Sequence, residues 1–138
     1  MTKRVADGVE YGPTDNGKSY KCLFYHRGKP TQHKSTWSDL ISTSDEYGVF
    51  CTADAKNWVD DKGHYWSLRD KGETQLGTQG ERIAKFPKNG NAQLPWHGYP
   101  ASPNRKDGDL PPKAVLQMWE DTKVIARHVL RRLRGSKI

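Results

Sequence analysis

The chain has 138 residues, 33% of them hydrophobic and 28% charged, with a formal net charge of +7. That length suits a single domain, 1–138, around one core, and no apolar run reaches the roughly 18 residues that span a bilayer. The start, MTKRVADGVEYG, lacks the apolar centre of a secretory signal, so the expectation is a soluble, intracellular protein of the cytoplasm.

Residues 1–18 are rich in Gly, Asp and Asn, and EYGPTDNGK reads as a turn leading into SYKCLFYHR, a strand of about eight residues that ends at Gly28 and Pro30. In STWSDLIS, Ser35 or Thr36 can cap a short helix that turns Trp37, Leu40 and Ile41 to one side. EYGVFCT, from Glu46 to Thr52, reads as a second strand. Cys22 and Cys51 each lie in one of these apolar runs, where a buried thiol is the common outcome; a disulfide between them would require an oxidising compartment. Residues 1–56 thus form a strand, helix and strand.

Residues 57–87 alternate short apolar segments with turns, and Gly63, Gly72 and Gly80 are each available for a left-handed backbone. Turn signals at that spacing predict a Trp-rich antiparallel meander. Within HYWSLR, alternation puts His64, Trp66 and Leu68 on the core side. GTQG, from Gly77 to Gly80, is a hairpin turn within it. Residues 88–110 have no period, and Pro95 and Pro100 bracket WHGY, which holds the segment extended and stiff. Residues 111–135 are a basic helical segment: Pro111 and Pro112 suit its first turn, with Asp109 near the cap. Val115, Met118 and Trp119, then Ile125, Val129 and Leu133, recur at helical spacing, and Gly135 ends it. Asp121 and Thr122 either continue one helix or cap a second. Together these elements predict an α+β fold, an antiparallel meander sheet of about five or six strands with a short early helix and a C-terminal helix or helical pair packed on it. With five Trp, six Tyr and three Phe, its core is expected to be made of rings.

Charge is unevenly distributed. Residues 31–60 hold two Lys/Arg and five Asp/Glu, whereas 123–138 hold Lys123, Arg127, Arg131, Arg132, Arg134 and Lys137 with no acid. Spacings of 4, 4 and 3 align Lys123, Arg127, Arg131 and Arg134 on one helix stripe, opposite the apolar one. Cations near a helix end also offset its dipole, but arginine adds planar, bidentate phosphate or carboxylate contacts. Arg82, Lys85 and Lys88 interleave with rings, and Trp96 and Tyr99 lie on the stiff loop; rings among cations are what single-stranded nucleic-acid binders use. The same rings would equally supply a core.

His97, between Trp96 and Gly98, is the histidine best placed for proton transfer, although no spacing supplies it with a catalytic partner. No pair of ligands has metal spacing and no cofactor fingerprint is present, so neither a metal nor a cofactor is expected. The leading expectation is a small basic protein that binds RNA or DNA through Lys123, Arg127, Arg131, Arg132, Arg134, Arg82, Lys85, Lys88, Trp96 and Tyr99, with no membrane partner. An adaptor or inhibitor docking on an acidic protein surface is the alternative, and a metal-independent ribonuclease-type toxin using His97 is the third. Binding is favoured over catalysis.

Overall fold

The structure, a computed structural model, describes residues 2–103 and 109–137. It is an α+β fold of six strands and three α-helices among those residues: β1 (Thr2–Val5), β2 (Gly8–Tyr11), β3 (Tyr20–Leu23), α1 (Thr43–Lys56), β4 (Tyr65–Leu68), β5 (Ile83–Phe86), β6 (Tyr99–Ala101), α2 (Lys113–Asp121) and α3 (Arg127–Arg134), with 3-10 turns at Phe24–His26 and Asp70–Gly72. The strands make two three-stranded antiparallel sheets, β1-β2-β3 and β4-β5-β6, where the sequence predicts one sheet of five or six. The residues 104–108 of the predicted 88–110 loop lie outside the described residues; β6 falls within the same loop.

Three expectations are corrected in the first half of the chain. The predicted strand Glu46–Thr52 is the middle of α1, which begins with a reciprocal cap: the Asp45 amide donates to Ser42 Oγ at 3.0 Å and the Ser42 amide to Asp45 Oδ2 at 3.1 Å. The buried residues of α1 are Glu46, Val49, Phe50, Ala53 and Asp54, a helical stripe whose first and last members are carboxylates, so its apolar letters alone imitate a strand. The predicted helix over 35–42 is absent because its backbone bonds elsewhere: the Trp37 amide donates to the His26 carbonyl and the Ser38 amide to the Leu76 carbonyl, leaving Leu40 89% exposed. β1 and β2 precede the expected turn, which is present with the Gly17 amide donating to the Thr14 carbonyl; no strand is expected there, because their exposed or half-covered side chains carry no strong alternation. Cys22 is buried, Cys51 half-buried, and both are free.

The core lies where α1 packs against β3 and β4. Phe50 of α1 meets Tyr20 of β3 at 4.9 Å and Phe86 of β5 at 5.2 Å, centroid to centroid. Every residue of β4 is buried, so the alternation expected along HYWSLR does not sort core from solvent: Ser67 donates to the Val49 carbonyl on one face, while the Trp66 indole donates to Asp60 Oδ2. β3 meets the segment leading into β6 at a short parallel bridge, in which Lys21 N donates to Trp96 O at 2.7 Å and Trp96 N to Ser19 O at 2.8 Å. At the C-terminus the helical segment is a pair, turned by Lys123 at φ 58°. Trp119, fully buried, meets Trp58 edge-on at 5.6 Å; Val129 packs against Gly72, and the Ala126 amide donates to the Lys71 carbonyl. The pair therefore docks on Trp58 and the Asp70–Gly72 turn.

A buried polar link ties α1 to β3. Glu46 is 1% exposed; Tyr20 donates its hydroxyl to Oε2 at 2.6 Å and Arg27 donates Nη2 to Oε1 at 2.7 Å, while Arg27 Nη1 donates to the Ile41 carbonyl. Burial raises the Glu46 carboxyl to about 7, against the opposing pull of Tyr20 and Arg27. The unfolded chain ionises this group near 4.5, so the folded state holds its proton longer, and stability from Glu46 is present below pH 4.5 and lost as pH rises to 7. At about 1.4 kcal/mol per unit, the wild type is expected to lose about 3 kcal/mol across that window relative to Glu46→Gln. Urea unfolding of both proteins at each pH gives that difference, and a flat difference would refute it.

Gly98 marks where the WHGY segment crosses the core. A Cβ there would lie 2.2 Å from the Phe86 ring and 2.7 Å from the Lys85 carbonyl. Gly98→Ala is expected to cost about 1–3 kcal/mol through overpacking, measurable by denaturant titration. A loss under about 0.5 kcal/mol would mean that the segment moves off the ring without difficulty.

Candidate nucleic-acid interface and a two-histidine cleft

Extended geometry divides the WHGY segment into two faces. Trp96 turns inward, meeting Tyr65 at 5.3 Å and Phe50 at 5.8 Å, while its main chain pairs with β3. His97 and Tyr99 both face His26, their ring centroids 6.5 and 5.6 Å from it. Trp37 holds the segment between them by donating Nε1 to the Gly98 carbonyl at 3.2 Å. Three aromatic rings from the Phe24–His26 turn and the stretch entering β6 are thus gathered into one cluster.

This cluster borders a cleft of about 240 Å³ whose lining includes His26, His33, Ser35, Tyr99 and Asp109. His26 Nδ1 lies 3.2 Å from the Ser35 carbonyl, which can only accept, so that nitrogen carries the proton and Nε2 holds the free lone pair. The Ser35 hydroxyl donates to the Pro100 carbonyl at 2.5 Å, fixing the wall opposite. Tyr99 donates to Asp109 Oδ2 at 2.5 Å and Lys85 to Asp109 Oδ1 at 3.0 Å, with the Lys85 ammonium 5.2 Å from the centre of the Trp66 ring. Burial holds both imidazoles below their ordinary value, reinforced at His26 by His97 and Lys34 and at His97 by Lys21. Burial, with Asp109 beside it, pushes the Tyr99 hydroxyl well up. His97 Nδ1 is enclosed and has no hydrogen-bond partner in the protein.

The basic residues of the C-terminal pair form a second constellation. Val129, Leu130 and Leu133 are the buried side of α3, and Arg127, Arg131, Arg132 and Arg134 are exposed. Arg134 pairs with Glu120 at 2.9 Å and His128 approaches Glu73 at 3.6 Å. Lys123, Arg127 and Arg131 have no carboxylate of a described residue within 4.0 Å. A depression of about 530 Å³ is lined by Lys71, Lys123 and Arg127, with Glu73 and Glu120 also on its wall. It shares no lining residue with the histidine cleft.

The residues proposed from sequence therefore separate. Arg82 donates to the carbonyls of Gly72 and Glu73, which braces the turn beneath α3. Lys85 is engaged with Asp109, Trp96 packs against the core, and Lys88 is exposed beside Gly63. His97 and Tyr99 come together with His26, which the sequence reading passes over, because a histidine closing an apolar run carries no signal until the chain folds. Tyr25, 62% exposed and edge-on to His26 at 5.0 Å, is missed for the same reason. Among the described residues no group of three or more His, Cys, Asp or Glu is placed to hold a metal ion, and no helix is long and apolar enough to cross a membrane. Comparison of the chain with protein families, with curated proteins and with solved structures finds no match.

Proposed function

We propose that this chain binds nucleic acid through the exposed cationic side of α3 and the turn before it. The observation that carries the reading is the position of the charges. Arg127 is the first residue of α3, and the first turn contains no acid; a cation there opposes the helix dipole and weakens the helix. Dipole compensation accounts for Arg131, Arg132 and Arg134 in the last turn of α3 and for Lys123 just past the C-cap of α2, but not for Arg127. A cation kept where it disfavours the helix, at a depression also reached by Lys71 and Lys123, is explained by an external anion, and the repeating anion that matches a row of arginines along a helix is a phosphate backbone. The packing behind them, Trp119 on Trp58 and Val129 on Gly72, makes that face rigid and lowers the entropy lost on binding.

Replacing Arg127 and Arg131 together by Gln is expected to leave the unfolding midpoint essentially unchanged, since both side chains are exposed, and to weaken binding to a single-stranded oligonucleotide. The plot of log affinity against log salt should flatten by about one for each lost phosphate contact, so by about two in the double variant. Parental affinity and slope in the variant would show that the stripe is a solvated helix face. Capture of a stoichiometric acidic protein from nuclease-treated lysate, with no oligonucleotide binding by the parent, would replace the reading with protein docking.

A further inference from the structure

We infer that the ring cluster of His26, His97 and Tyr99, at the edge of the cleft that His26 and Tyr99 line, is a metal-independent site that cleaves RNA, with His26 as proton acceptor and His97 as proton donor. This inference rests on the nucleic-acid reading above and assigns it a chemistry. At 6.5 Å between centroids, the two imidazoles are too far apart to bond each other, yet near enough to address different oxygens of one phosphate group. Their proton arrangement is asymmetric in the required sense. The Ser35 carbonyl keeps the His26 proton on Nδ1, leaving the Nε2 lone pair to accept. His97 Nδ1 is shut away without a partner, so exchange with a substrate falls to its Nε2. A buried polar atom left unpaired is uncommon in a folded protein, and a catalytic role is one of its explanations.

The surroundings suit a ribonucleotide. Tyr25, 62% exposed, presents a ring beside His26, with the Lys34 ammonium 4.9 Å from the ring centre; an exposed ring flanked by a cation is a platform for a base and its phosphate. The Tyr99 hydroxyl is occupied by Asp109, which Lys85 also holds, so Tyr99 is a positioning residue and both proton transfers are left to the histidines.

The step uses the substrate's own nucleophile. His26 takes the proton of the 2′-hydroxyl as its oxygen forms a bond to phosphorus. The bond from phosphorus to the 5′-oxygen breaks, and His97 gives that oxygen a proton. The products are a 2′,3′-cyclic phosphate and a 5′-hydroxyl, with one proton taken, one given, and no oxidant, reductant or metal required. DNA, lacking the 2′-hydroxyl, is not a substrate. Lys34 faces His26 and Lys21 faces His97, both cations, His33 lines the same cleft, and the one carboxylate there among the described residues, Asp109, is engaged by Lys85 and Tyr99. With no free anion of a described residue beside either imidazole to favour its protonated form, the rate should peak below pH 6.5, the ordinary value for histidine, and fall as pH rises through neutrality.

The test uses the full chain in EDTA with a fluorogenic oligoribonucleotide and its 2′-O-methyl counterpart. Expected are cleavage of the first with a 2′,3′-cyclic end, none of the second, and a loss in turnover of about 100-fold or more in both His26→Gln and His97→Gln, with RNA affinity retained. RNA left intact by the wild type, cleavage of the methylated strand, a rate maximum above pH 7, or full activity in a folded histidine variant would each overturn the inference. Should a Gln variant fail to fold, the wild-type product analysis and the methylated strand still decide. If the wild type binds RNA and leaves it whole, the cleavage inference falls alone; if it does not bind, the nucleic-acid reading falls with it.

Discussion

The carboxylate of Glu46, enclosed between Arg27 and Tyr20, is the constraint on which the architecture turns. Removing two opposite charges from water is costly, and the cost is only partly offset by Tyr20 on one oxygen, Arg27 on the other and Arg27 Nη1 on the Ile41 carbonyl: burial still raises the carboxyl, and Arg27 Nε is enclosed without a partner. Those partners come from β3, from the residue after the Phe24–His26 turn, and from the segment leading into α1. Satisfying one carboxylate therefore sets three pieces of chain at once. The rotation of α1 that buries Glu46 also buries Phe50, and Phe50 is the ring against which Tyr20, Phe86 and Trp96 assemble. Arg27 follows His26 directly, so the same ion pair that anchors the helix also fixes the turn that carries an imidazole to the cleft.

How much of this was legible depended on where the folded chain put polar letters. The helical character of the C-terminal segment followed from its spacing, although one helix or two remained open: Val115, Trp119, Ile125, Val129 and Leu133 are buried and Met118 is half-buried, and prolines before the segment and Gly135 after it mark its limits. β4 and β5 followed from the turns between them. The first helix did not, because its inward stripe begins and ends in carboxylates, Glu46 and Asp54, the latter paired with Lys18 at 2.7 Å. A reader of apolar spacing discounts acids, and what remains, Val49, Phe50 and Cys51, has the letters of a strand. β1 and β2 stayed hidden for the opposite reason, since an exposed four-residue strand is held by its ladder rather than by a buried face.

The candidate sites divided in the same way. The arginine stripe is a local pattern, and a helix converts local spacing into a surface without help from the rest of the chain. The cleft is made by long-range contact: His26, Ser35, His97, Tyr99 and Asp109 belong to separate stretches brought together by the buried main-chain bonds of Trp37 and Trp96. Each is an ordinary residue in sequence, and their chemistry arises from proximity. The stiffness of the proline-bracketed loop was legible; its use, to mount two rings facing a third, was not.

The parallel bridge between Tyr20 and Trp96 gives the two sheets a shared seam of two hydrogen bonds. Its amides, Lys21 on β3 and Trp96 on the segment entering β6, are protected by the same event, because neither carbonyl partner stays in place once the seam opens. Native-state amide exchange at these positions should therefore report one opening free energy, distinct from fraying at β1. The seam also sets the alignment of the rings at the cleft, since Trp96 immediately precedes His97 and Tyr20 stands on the strand that leads to His26. Opening of this seam would therefore also displace the rings at the cleft, so that exchange at the backbone and access at the surface would be coupled.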